Sequence, residues 1–403
     1  MSLLCNVFLI VIDSLRSDNL SCYGYHHETS PAIDTIAAEG VMFDKVISQS
    51  SWTKPSVSSL LTSTYPEVHG VKRLEDRLAP QETSLPGILK KFGYITGCIQ
   101  TNPFLSSAGG FNQGFDFYLE LFDKAPGMYK PRINEAMQAV FDWIDRFVAD
   151  PFFFYLHVLD THNPYAPPKA FNPFGDTERD RYDGEVSFID YHIGLIRSYL
   201  TLKGLREKTL LVITADHGEE FEEHGKKYHA KHLYEETLRV PLIISSPARI
   251  PSGLSIPTQV RSIDIVPTVL ELLGIPPLAR HQGESLLPLL SLAPTPERPA
   301  LSQIGEDNPA EKKTELISLN TGDYKLICDT RTDTKELYHL VTDPHEKNNI
   351  ADEEKEKCRD LQNHVKKILQ SPDEKPFHYK SAPPKVSLDE DLLKRLRGLG
   401  YIE

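Results

Sequence analysis

The chain has 403 residues, of which 40% are hydrophobic, and a formal net charge of −13 at pH 7. This length suits two domains or one large α/β unit, and the hydrophobic fraction supports a sizeable core, which excludes an intrinsically disordered protein. The acidic balance argues against a nucleic-acid or anionic-membrane binder, and no apolar run approaches the roughly 18–20 residues of a membrane span.

The N-terminal part of the chain alternates predicted strands with predicted helices. The predicted strands are Asn6–Ile12, Val41–Ile47, Tyr94–Gln100, Pro151–Leu159, Thr209–Thr214 and Pro241–Ser245. The predicted helices are Pro31–Ala38, Lys54–Leu61, Leu85–Phe92, Ile133–Phe147, Tyr182–Leu200 and Ile263–Leu273. Because continuous apolar strands that alternate with helices are typical of a sheet covered on both faces, we expect an α/β fold with a large, doubly wound, mostly parallel sheet flanked by helices.

From about Pro294 the pattern changes to short β-like runs between turns. These runs are Glu315–Leu319, Tyr324–Cys328 and Glu336–Leu340, and charged helices are predicted over Glu353–Leu369 and Leu393–Ile402. We therefore predict a large domain over residues 1–293 and a smaller C-terminal α+β domain, a short antiparallel sheet plus a helix, over residues 294–403.

The cysteines and the N-terminus bear on the compartment. The five cysteines are scattered and odd in number, which indicates neither a disulfide framework nor a thiolate zinc site. The apolar run Val7–Ile12 is too short for a signal peptide and is interpreted as a strand. The default expectation is a cytoplasmic protein, with a periplasmic or secreted location if a leader has been removed from the N-terminus.

Three predicted strands end in residues that can bind a metal or move protons. They are Asp13, the segment His157 to His162, and Asp216-His217. Because open α/β sheets bind ligands at the carboxyl ends of their strands, we expect these residues to converge. A carboxylate beside an imidazole suits zinc, manganese or a harder cation, which would polarise an ester oxygen.

Thr53 is the candidate nucleophile. It is predicted to lie just ahead of the helix Lys54–Leu61, where the helix dipole favours an anion. A hydroxyl bound to a divalent cation loses its proton more readily, so Thr53 could attack without a histidine base. The alternative is that Thr53 is only the N-cap of this helix, and the spacing does not separate the two interpretations.

Several short segments follow one another in an order shared with a known family. They are Asn6–Arg16, Thr53–Ser56, Leu60–Thr62, Asp216–Glu219, Leu233–Glu236, Arg239–Pro241, Asp264–Thr268, Gln282–Ser285, Glu336–Tyr338, Asp343-Pro344 and Asn348–Ile350. Together they resemble the sulfatase family of the alkaline phosphatase superfamily, over essentially the whole chain.

The resemblance implies a site. A single divalent cation would be held by Asp13, Thr53, Asp216 and His217. His162 resembles the residue that binds a substrate oxygen in catalysis, and His229 falls near the residue that acts on the leaving group. Asn102 and Lys231 are candidates for substrate binding, although Asn102 could also simply start a turn. His157 is expected to pack beneath the site as a hydrogen-bond donor.

Two departures from the family decide the predicted chemistry. Sulfatases convert a Cys or Ser at the start of a C/S-x-P-S-R turn into formylglycine, whereas here Thr53 fills that position and Val57 replaces the Arg. Threonine cannot be oxidised to an aldehyde, so water must open a Thr53 adduct at the transferred atom, as superfamily members with Ser or Thr nucleophiles do with phosphoryl groups. We therefore predict hydrolysis of phosphate diesters or phosphonate monoesters through a covalent threonine intermediate.

The second departure concerns the metal. Ser14 follows Asp13 where many sulfatases have a paired carboxylate, which favours manganese or zinc, with calcium still possible. A second metal could use Asp160, His162 and either His224 or His229, but the spacing differs from that of two-metal relatives and a second ion is not expected.

Other functions stay open. The expected partner is a small anionic ester, with no nucleic acid and no membrane span, and the oligomeric state is unknown. The alternatives are an arylsulfatase-like sulfuric ester hydrolase that uses Thr53 directly, a transferase, and a non-catalytic binding protein that keeps the fold. The acidic run Glu219, Glu220, Glu222 and Glu223 is expected to line a solvated helix face.

Overall fold

The computed structural model describes residues 5–80, 83–124, 130–291, 295–305, 315–370, 383–386 and 390–398. Its strands are β1 Asn6–Ile12, β2 Val41–Phe43, β3 Val46–Ile47, β4 Ile95–Gln100, β5 Phe117–Glu120, β6 Phe152–Val158, β7 Thr209–Ala215, β8 Glu220–Phe221, β9 Lys227–Tyr228, β10 Arg239–Val240, β11 Leu242–Ser245, β12 Leu254–Ile256, β13 Val260–Arg261, β14 Ala300–Ile304, β15 Leu316–Asn320, β16 Tyr324–Asp329 and β17 Lys335–His339. Its α-helices are α1 Pro31–Ala38, α2 Thr53–Thr62, α3 Pro66–His69, α4 Leu85–Lys91, α5 Ile133–Phe147, α6 Glu178–Leu202, α7 Glu235–Leu238, α8 Ile265–Leu272, α9 Lys355–Gln370 and α10 Glu390–Gly398.

An eight-stranded sheet organises the molecule, in the order β12-β2-β11-β7-β1-β6-β4-β5. The five strands from β7 to β5 are parallel, and β11 runs antiparallel to both of its neighbours. Ile12, the last residue of β1, lies opposite Val158 of β6 and Ala215 of β7, so the carboxyl ends of three central strands meet at one edge. This confirms the predicted mostly parallel α/β sheet.

The central strands are buried along their whole length. Every residue of β1, β6 and β7 is buried, as expected for strands with helices over both faces. Helices α1 and α5 pack against α6, whereas α4 and α8 pack against α2, which gives two helical layers. Among the helices within the described ranges, none is long and apolar enough to cross a membrane.

A second, antiparallel sheet of four strands, β14-β15-β16-β17, follows and carries α9 against β16. The predicted short runs correspond to β15, β16 and β17, whereas β14 was not predicted. Four leucines of this sheet share an apolar cluster with Tyr65 and Ile263 of the large unit; they are Leu301, Leu319, Leu326 and Leu337. The predicted boundary at 293/294 and the predicted helix end at Ile402 lie outside the described residues, so the division into two domains stays a prediction.

One predicted strand is divided into two, and one predicted helix starts earlier than expected. The predicted strand Val41–Ile47 is two strands, because β2 pairs with β11 and β12 in the large sheet while β3 pairs with β10 and β13. The helix predicted from Tyr182 starts at Glu178, since Thr177 forms a capping box with Asp180.

His69 gives the fold a pH dependence that can be measured. Its Nδ1 accepts a hydrogen bond from the Val71 N–H at 3.1 Å, so the ring proton lies on Nε2, which is 2.9 Å from Ser59 Oγ. Burial lowers the pKa of His69 to about 3. In the unfolded chain His69 takes up a proton near pH 6.5, whereas in the native state it does so only near pH 3. The free energy of unfolding therefore falls as pH drops from about 6.5 towards about 3, by up to ~1.4 kcal/mol per pH unit.

His69→Asn keeps an acceptor for Val71 but does not titrate. Between pH 7 and pH 5, we expect the free energy of unfolding in urea to fall by about 2 kcal/mol more in the wild type than in this variant. An equal fall in the two proteins would contradict the assignment of this pH dependence to His69.

Candidate active site

Asp13 and Asp216 follow β1 and β7 and face each other at the edge of the sheet. Ser14 links them from a left-handed backbone conformation, with φ of 59°. Its N–H donates to Asp216 Oδ1 at 3.2 Å, and its hydroxyl donates to Asp13 Oδ1 at 2.9 Å. Ser14 therefore holds the carboxylates of Asp13 and Asp216 in place, and its own side chain adds a hydroxyl to the site and not a further carboxylate.

His217 completes this group. Its Nδ1 lies 2.8 Å from the Gly218 carbonyl oxygen, which makes Nδ1 the donor and leaves Nε2 as the ligand nitrogen. The φ of Gly218 is not in the left-handed region, and glycine is needed for close approach, since an added Cβ would lie 2.1 Å from the Glu236 carbonyl oxygen. Gly218 thus allows the backbone of Glu236 to pack directly against the segment that carries His217.

The three side chains fit a divalent cation. Asp13, Asp216 and His217 each offer one ligand atom, and these atoms lie within 4.8 Å of one another. His217 Nε2 is 3.7 Å from Asp13 Oδ1 and 3.6 Å from Asp216 Oδ2, too far for hydrogen bonds. Asp216 Oδ2 is buried without a hydrogen-bond partner among the described residues, a costly state that a bound cation would relieve.

The charges of these groups support one another. Burial would raise the pKa of Asp216, but His217 and His157 outweigh it and hold the pKa below its usual range. Burial would lower the pKa of His217, but Asp216 and Asp13 outweigh it and raise the pKa. The neighbouring histidines thus keep the Asp216 carboxylate ionised, as metal binding requires.

Thr53 is the first residue of α2, and Trp52 occupies the N-cap position. The expectation that Thr53 lies ahead of the helix was therefore wrong by one residue, and so was the alternative that it is the N-cap. Its Oγ1 lies 3.2 Å from Asp13 Oδ2 and 3.4 Å from His217 Nε2. Ser56, one turn further on, donates to the Asp216 carbonyl oxygen and so fixes the helix start against the end of β7.

Asn102 follows β4 and joins the same cluster. Its Nδ2 donates to Asp13 Oδ2 at 2.7 Å and lies 3.3 Å from Thr53 Oγ1. Its Oδ1 accepts from the Phe104 N–H at 2.9 Å, so this residue both starts a turn and contacts the candidate nucleophile.

His162 and His229 lie over the cluster. The ring centroids of His162 and His229 are 4.9 Å apart, and those of His217 and His229 are 4.4 Å apart. Burial is the main cause that lowers the pKa of each to about 3, so both are neutral. Thr53 has no exposed area, and His162 and His229 are only 2% and 6% exposed, so all three side chains of the cluster are buried.

Comparisons with known proteins decide the family. The family model described as Sulfatase matches residues 5–275, and the model N-sulphoglucosamine sulphohydrolase, C-terminal, matches residues 222–375. The chain belongs to the sulfatase family. It is 26% identical over 398 residues to the N-acetylgalactosamine-6-sulfatase of Canis lupus familiaris, with 84% of this chain and 74% of the relative covered.

Solved structures share the fold of this sulfatase-family chain. One was determined in complex with its substrate D-glucosamine-2-N,6-O-disulfate and has a TM-score of 0.77, 21% identity, and coverage of 93% of this chain and 100% of that one. The phosphonate monoester hydrolase of Agrobacterium radiobacter has a TM-score of 0.77, 19% identity, and coverage of 90% and 95%. The predicted family is confirmed, and with it a hydrolase that acts on ester bonds; sulfatases generally use a divalent metal.

Glu219 is a site residue that the sequence interpretation missed in this sulfatase-family chain. It is fully buried, its Oε1 lies 2.8 Å from His229 Nδ1, and its Oε2 accepts from the Tyr165 hydroxyl at 2.7 Å. Burial raises the pKa of Glu219 to about 8. The sequence feature that could have identified Glu219 is its position directly after the Asp216–Gly218 motif. It was overlooked because further acidic residues follow it.

The solvated helix face expected for the acidic run was wrong. The run forms no helix, because Glu220 lies in the β8–β9 hairpin and Glu219 points inwards. Glu220 is buried against His232, and Glu223 pairs with Arg16 at 2.6 Å. Glu222 is exposed as expected.

Lys130 braces the loop that carries His162. Its ammonium donates to the carbonyl oxygens of Asp160, His162 and Pro164 at 2.7, 2.6 and 2.9 Å. Thr161 in the same loop donates to the Asp13 carbonyl oxygen at 2.5 Å. No sequence pattern indicated a role for this lysine, because it contacts the loop only in the folded chain.

Other candidates have their described contacts outside the cluster. The Lys231 ammonium donates to the Lys227 carbonyl oxygen at 2.8 Å and lies 5.7 Å from the Tyr228 ring centre, so its substrate-binding role stays a prediction. Asp160, a candidate for a second metal, accepts from the Ile133 N–H at 2.9 Å and so supports the start of α5. His224 pairs with Glu236 at 2.6 Å instead of joining the second-metal set considered from the sequence.

Proposed function

We propose that this chain hydrolyses phosphate diesters or phosphonate monoesters through a covalent intermediate on Thr53. The observation that carries the proposal is an unmodified hydroxyl, Thr53 Oγ1, at the start of α2 and within 3.4 Å of Asp13 Oδ2 and His217 Nε2. This hydroxyl stands where sulfatases that form formylglycine have a Cys or Ser. Because threonine yields no aldehyde, release of the bound group has to occur by attack of water.

In the first step, Thr53 Oγ1 gives up its proton to water and attacks the phosphorus as the bond from phosphorus to the leaving oxygen breaks. Asp13, Thr53, Asp216 and His217 would hold a divalent cation, whose positive charge would lower the pKa of the hydroxyl and polarise the ester. The positive end of the α2 dipole favours the same anionic group. The His229–Glu219 pair lies beside this site and is assigned the delivery of a proton to the leaving oxygen. The Nε2 proton of the neutral His229 moves to that oxygen as the Glu219 carboxyl, whose pKa burial raises to about 8, passes its own proton to Nδ1.

In the second step, water attacks the phosphorus of the Thr53 adduct. His229 Nε2 takes a proton from the water as the Nδ1 proton returns to Glu219. The bond between Thr53 Oγ1 and phosphorus breaks, and Thr53 Oγ1 takes up a proton from solvent water. His162 and Asn102 are assigned to contact the substrate oxygens. Thr53 is thus the nucleophile of the first step and the leaving group of the second, as in other covalent hydrolases.

Sulfuric ester hydrolysis by Thr53 itself is the second candidate. It is favoured by the relatives named as sulfatases, such as the 26% identical N-acetylgalactosamine-6-sulfatase. A binding protein without catalysis is less consistent with a complete set of buried, converging Asp13, Thr53, Asp216 and His217. We favour Mn²⁺ or Zn²⁺ as the ion, because imidazole and few carboxylates suit these metals better than Ca²⁺.

A panel of substrates with a common leaving group separates these functions. The 4-nitrophenyl phosphodiester, phosphonate monoester and sulfate would be compared by kcat/KM, each with Mn²⁺, Zn²⁺ and Ca²⁺. We expect the diester or the phosphonate monoester to be the best substrate. A preference for the sulfate would support the second candidate, and absence of turnover with every ester and metal would support a binding protein.

A further inference from the structure

A small apolar cluster joins the segments of the candidate active site to the C-terminal helix α10. Each of its five buried members is at most 4% exposed; they are Trp52, Phe104, Leu159, Ala230 and Leu396. The first four belong to segments that carry site residues, whereas Leu396 belongs to α10, at the other end of the chain. The cluster therefore brings one residue of α10 into contact with the parts of the chain that build the site.

Two members of this cluster border the candidate nucleophile and its neighbour. Trp52 is the N-cap of α2 and directly precedes Thr53. The Phe104 N–H donates to Asn102 Oδ1 at 2.9 Å, and the rings of Trp52 and Phe104 meet edge to face with their centroids 5.6 Å apart. The positions of Thr53 and Asn102 thus depend on how these two rings pack.

Two other members border the histidines of the site. The His162 N–H donates to the Leu159 carbonyl oxygen at 3.0 Å. Ala230 directly follows His229, and its N–H donates to the Ser51 carbonyl oxygen at 3.0 Å. Ala230 also has a left-handed backbone conformation, with φ of 64°, which a residue other than glycine keeps only where its surroundings hold it. The packing around Leu159 and Ala230 therefore helps to place both histidines.

Leu396 completes this packing from outside the site segments. Among the α10 side chains that the structure describes, Leu396 alone is buried, and its neighbours Lys394 and Arg397 are exposed. Protein interiors are closely packed, so removal of a buried leucine side chain leaves a cavity or allows its neighbours to move. Here those neighbours are the segments that carry the site residues.

The chain just before α10 is held to the loop that follows α3. Two backbone hydrogen bonds of 2.8 Å join residues 75–77 to residues 384–386. Leu74 of the same loop packs against the cluster, and its carbonyl oxygen accepts from the Lys54 ammonium at 2.7 Å. Since Lys54 directly follows Thr53, the C-terminal segment is linked to the start of α2 by hydrogen bonds as well as by apolar packing.

We propose that Leu396 is a positioning residue that holds the active-site segments in place from α10. It acts through the residues next to Thr53, Asn102, His162 and His229 and is assigned no contact with the substrate. This inference rests on the function proposed above for the roles of these four residues. A displacement of about 1 Å caused by a change far from the chemistry can lower a rate by about 100-fold, which sets the size of the expected effect.

Leu396→Ala in the full chain tests the inference by two independent measurements. On the best ester of the panel, we expect kcat to fall by about 100-fold at a temperature where circular dichroism shows the variant to be folded. Hydrogen–deuterium exchange followed by mass spectrometry needs no substrate. We expect faster exchange in Leu396→Ala in the four segments of the site, residues 51–53, 102–104, 159–162 and 229–230.

Two further variants at this position separate packing from folding. Leu396→Met keeps a similar side-chain volume and should restore both kcat and the exchange rates to nearly the wild-type values. Leu396→Val is the milder variant should Leu396→Ala not fold, and it should change both measurements in the same direction by a smaller amount.

Leu393→Ala is the matched control. Leu393 lies in the same helix, is half-buried, and is not among the described residues of the cluster. The same substitution is made in both variants, so a general weakening of α10 would affect them alike. We expect Leu393→Ala to keep kcat and the exchange of the four segments close to the wild-type values.

The possible outcomes are distinguishable. A folded Leu396→Ala with wild-type kcat, or with unchanged exchange in the four segments, would overturn the inference, and so would equal losses in Leu396→Ala and Leu393→Ala. Unfolding of the whole chain by both Leu396→Ala and Leu396→Val would also overturn it and place Leu396 in the folding core. Absence of ester hydrolysis by the wild type would contradict the proposed function, whereas faster exchange confined to the four segments would still support the positioning role of Leu396.

Discussion

Thr53→Ala is expected to lower kcat on the best ester of the panel by about 10⁴–10⁶-fold. The substitution removes the only atom assigned to attack the phosphorus, so the covalent intermediate cannot form. The remaining site would still bind and polarise the ester, which sets the residual rate. The fold should persist, because Thr53 Oγ1 contacts only the site residues Asp13, Asn102 and His217 among its described hydrogen bonds.

Two further variants and one chemical measurement make this result specific. Thr53→Ser keeps the hydroxyl and should retain activity within about tenfold. Ser58→Ala is the matched control in the same helix, since the Ser58 hydroxyl donates to the Lys54 carbonyl oxygen at 2.8 Å, outside the site. Mass spectrometry of wild-type protein quenched during turnover should find the transferred group on the peptide that contains Thr53. Turnover of Thr53→Ala near the wild-type level would refute the mechanism.

Strong local patterns made part of the fold predictable. Strand Asn6–Ile12 and helix Ile133–Phe147 have the bounds predicted for them, because a continuous apolar run and a clear 3.6-residue period leave little choice. Strand Val41–Ile47 failed because the chain leaves one sheet and enters another between Phe43 and Val46, and this depends on partners far away in sequence. Strand β14 was missed because two of its five residues, Ser302 and Gln303, are polar, so no apolar run marks it in the sequence.

The candidate site, like the fold, could be predicted from the sequence only in part. Residues at strand ends could be brought together from sequence, since carboxyl ends of parallel strands meet at one edge, and Asp13, Asp216 and His217 do converge. The contact between Glu219 and His229 depends on how the β8–β9 hairpin folds back, which no local pattern encodes. That contact supports His229 over its neighbour Lys231 as the residue that acts on the leaving group.

The segment that carries His229 is also fixed by the C-terminal sheet, through a buried ion cluster centred on Lys325. Lys325 lies in β16 and has no exposed area, and its ammonium is 3.0 Å from Glu235 Oε1 and 2.9 Å from Glu346 Oε1. Glu346 Oε2 accepts from the Glu235 N–H at 2.7 Å. Burial raises the pKa of Glu346, and Lys325 is the main charge that opposes this rise.

Lys325→Met is therefore expected to lower the free energy of unfolding by about 3 kcal/mol, because it leaves the buried Glu346 and the half-buried Glu235 without their cation. The loss should be larger at pH 8 than at pH 6: without the cation both carboxyls take up protons in the native state, and that uptake is opposed as pH rises. Urea unfolding at both pH values measures this effect. Lys335→Met on the neighbouring strand β17 is the control, since Lys335 pairs only with the exposed Asp333 in its described ion pairs and should lose less than about 1 kcal/mol. Equal losses in the two variants would show that the buried cluster does not join the sheet to the active-site segment.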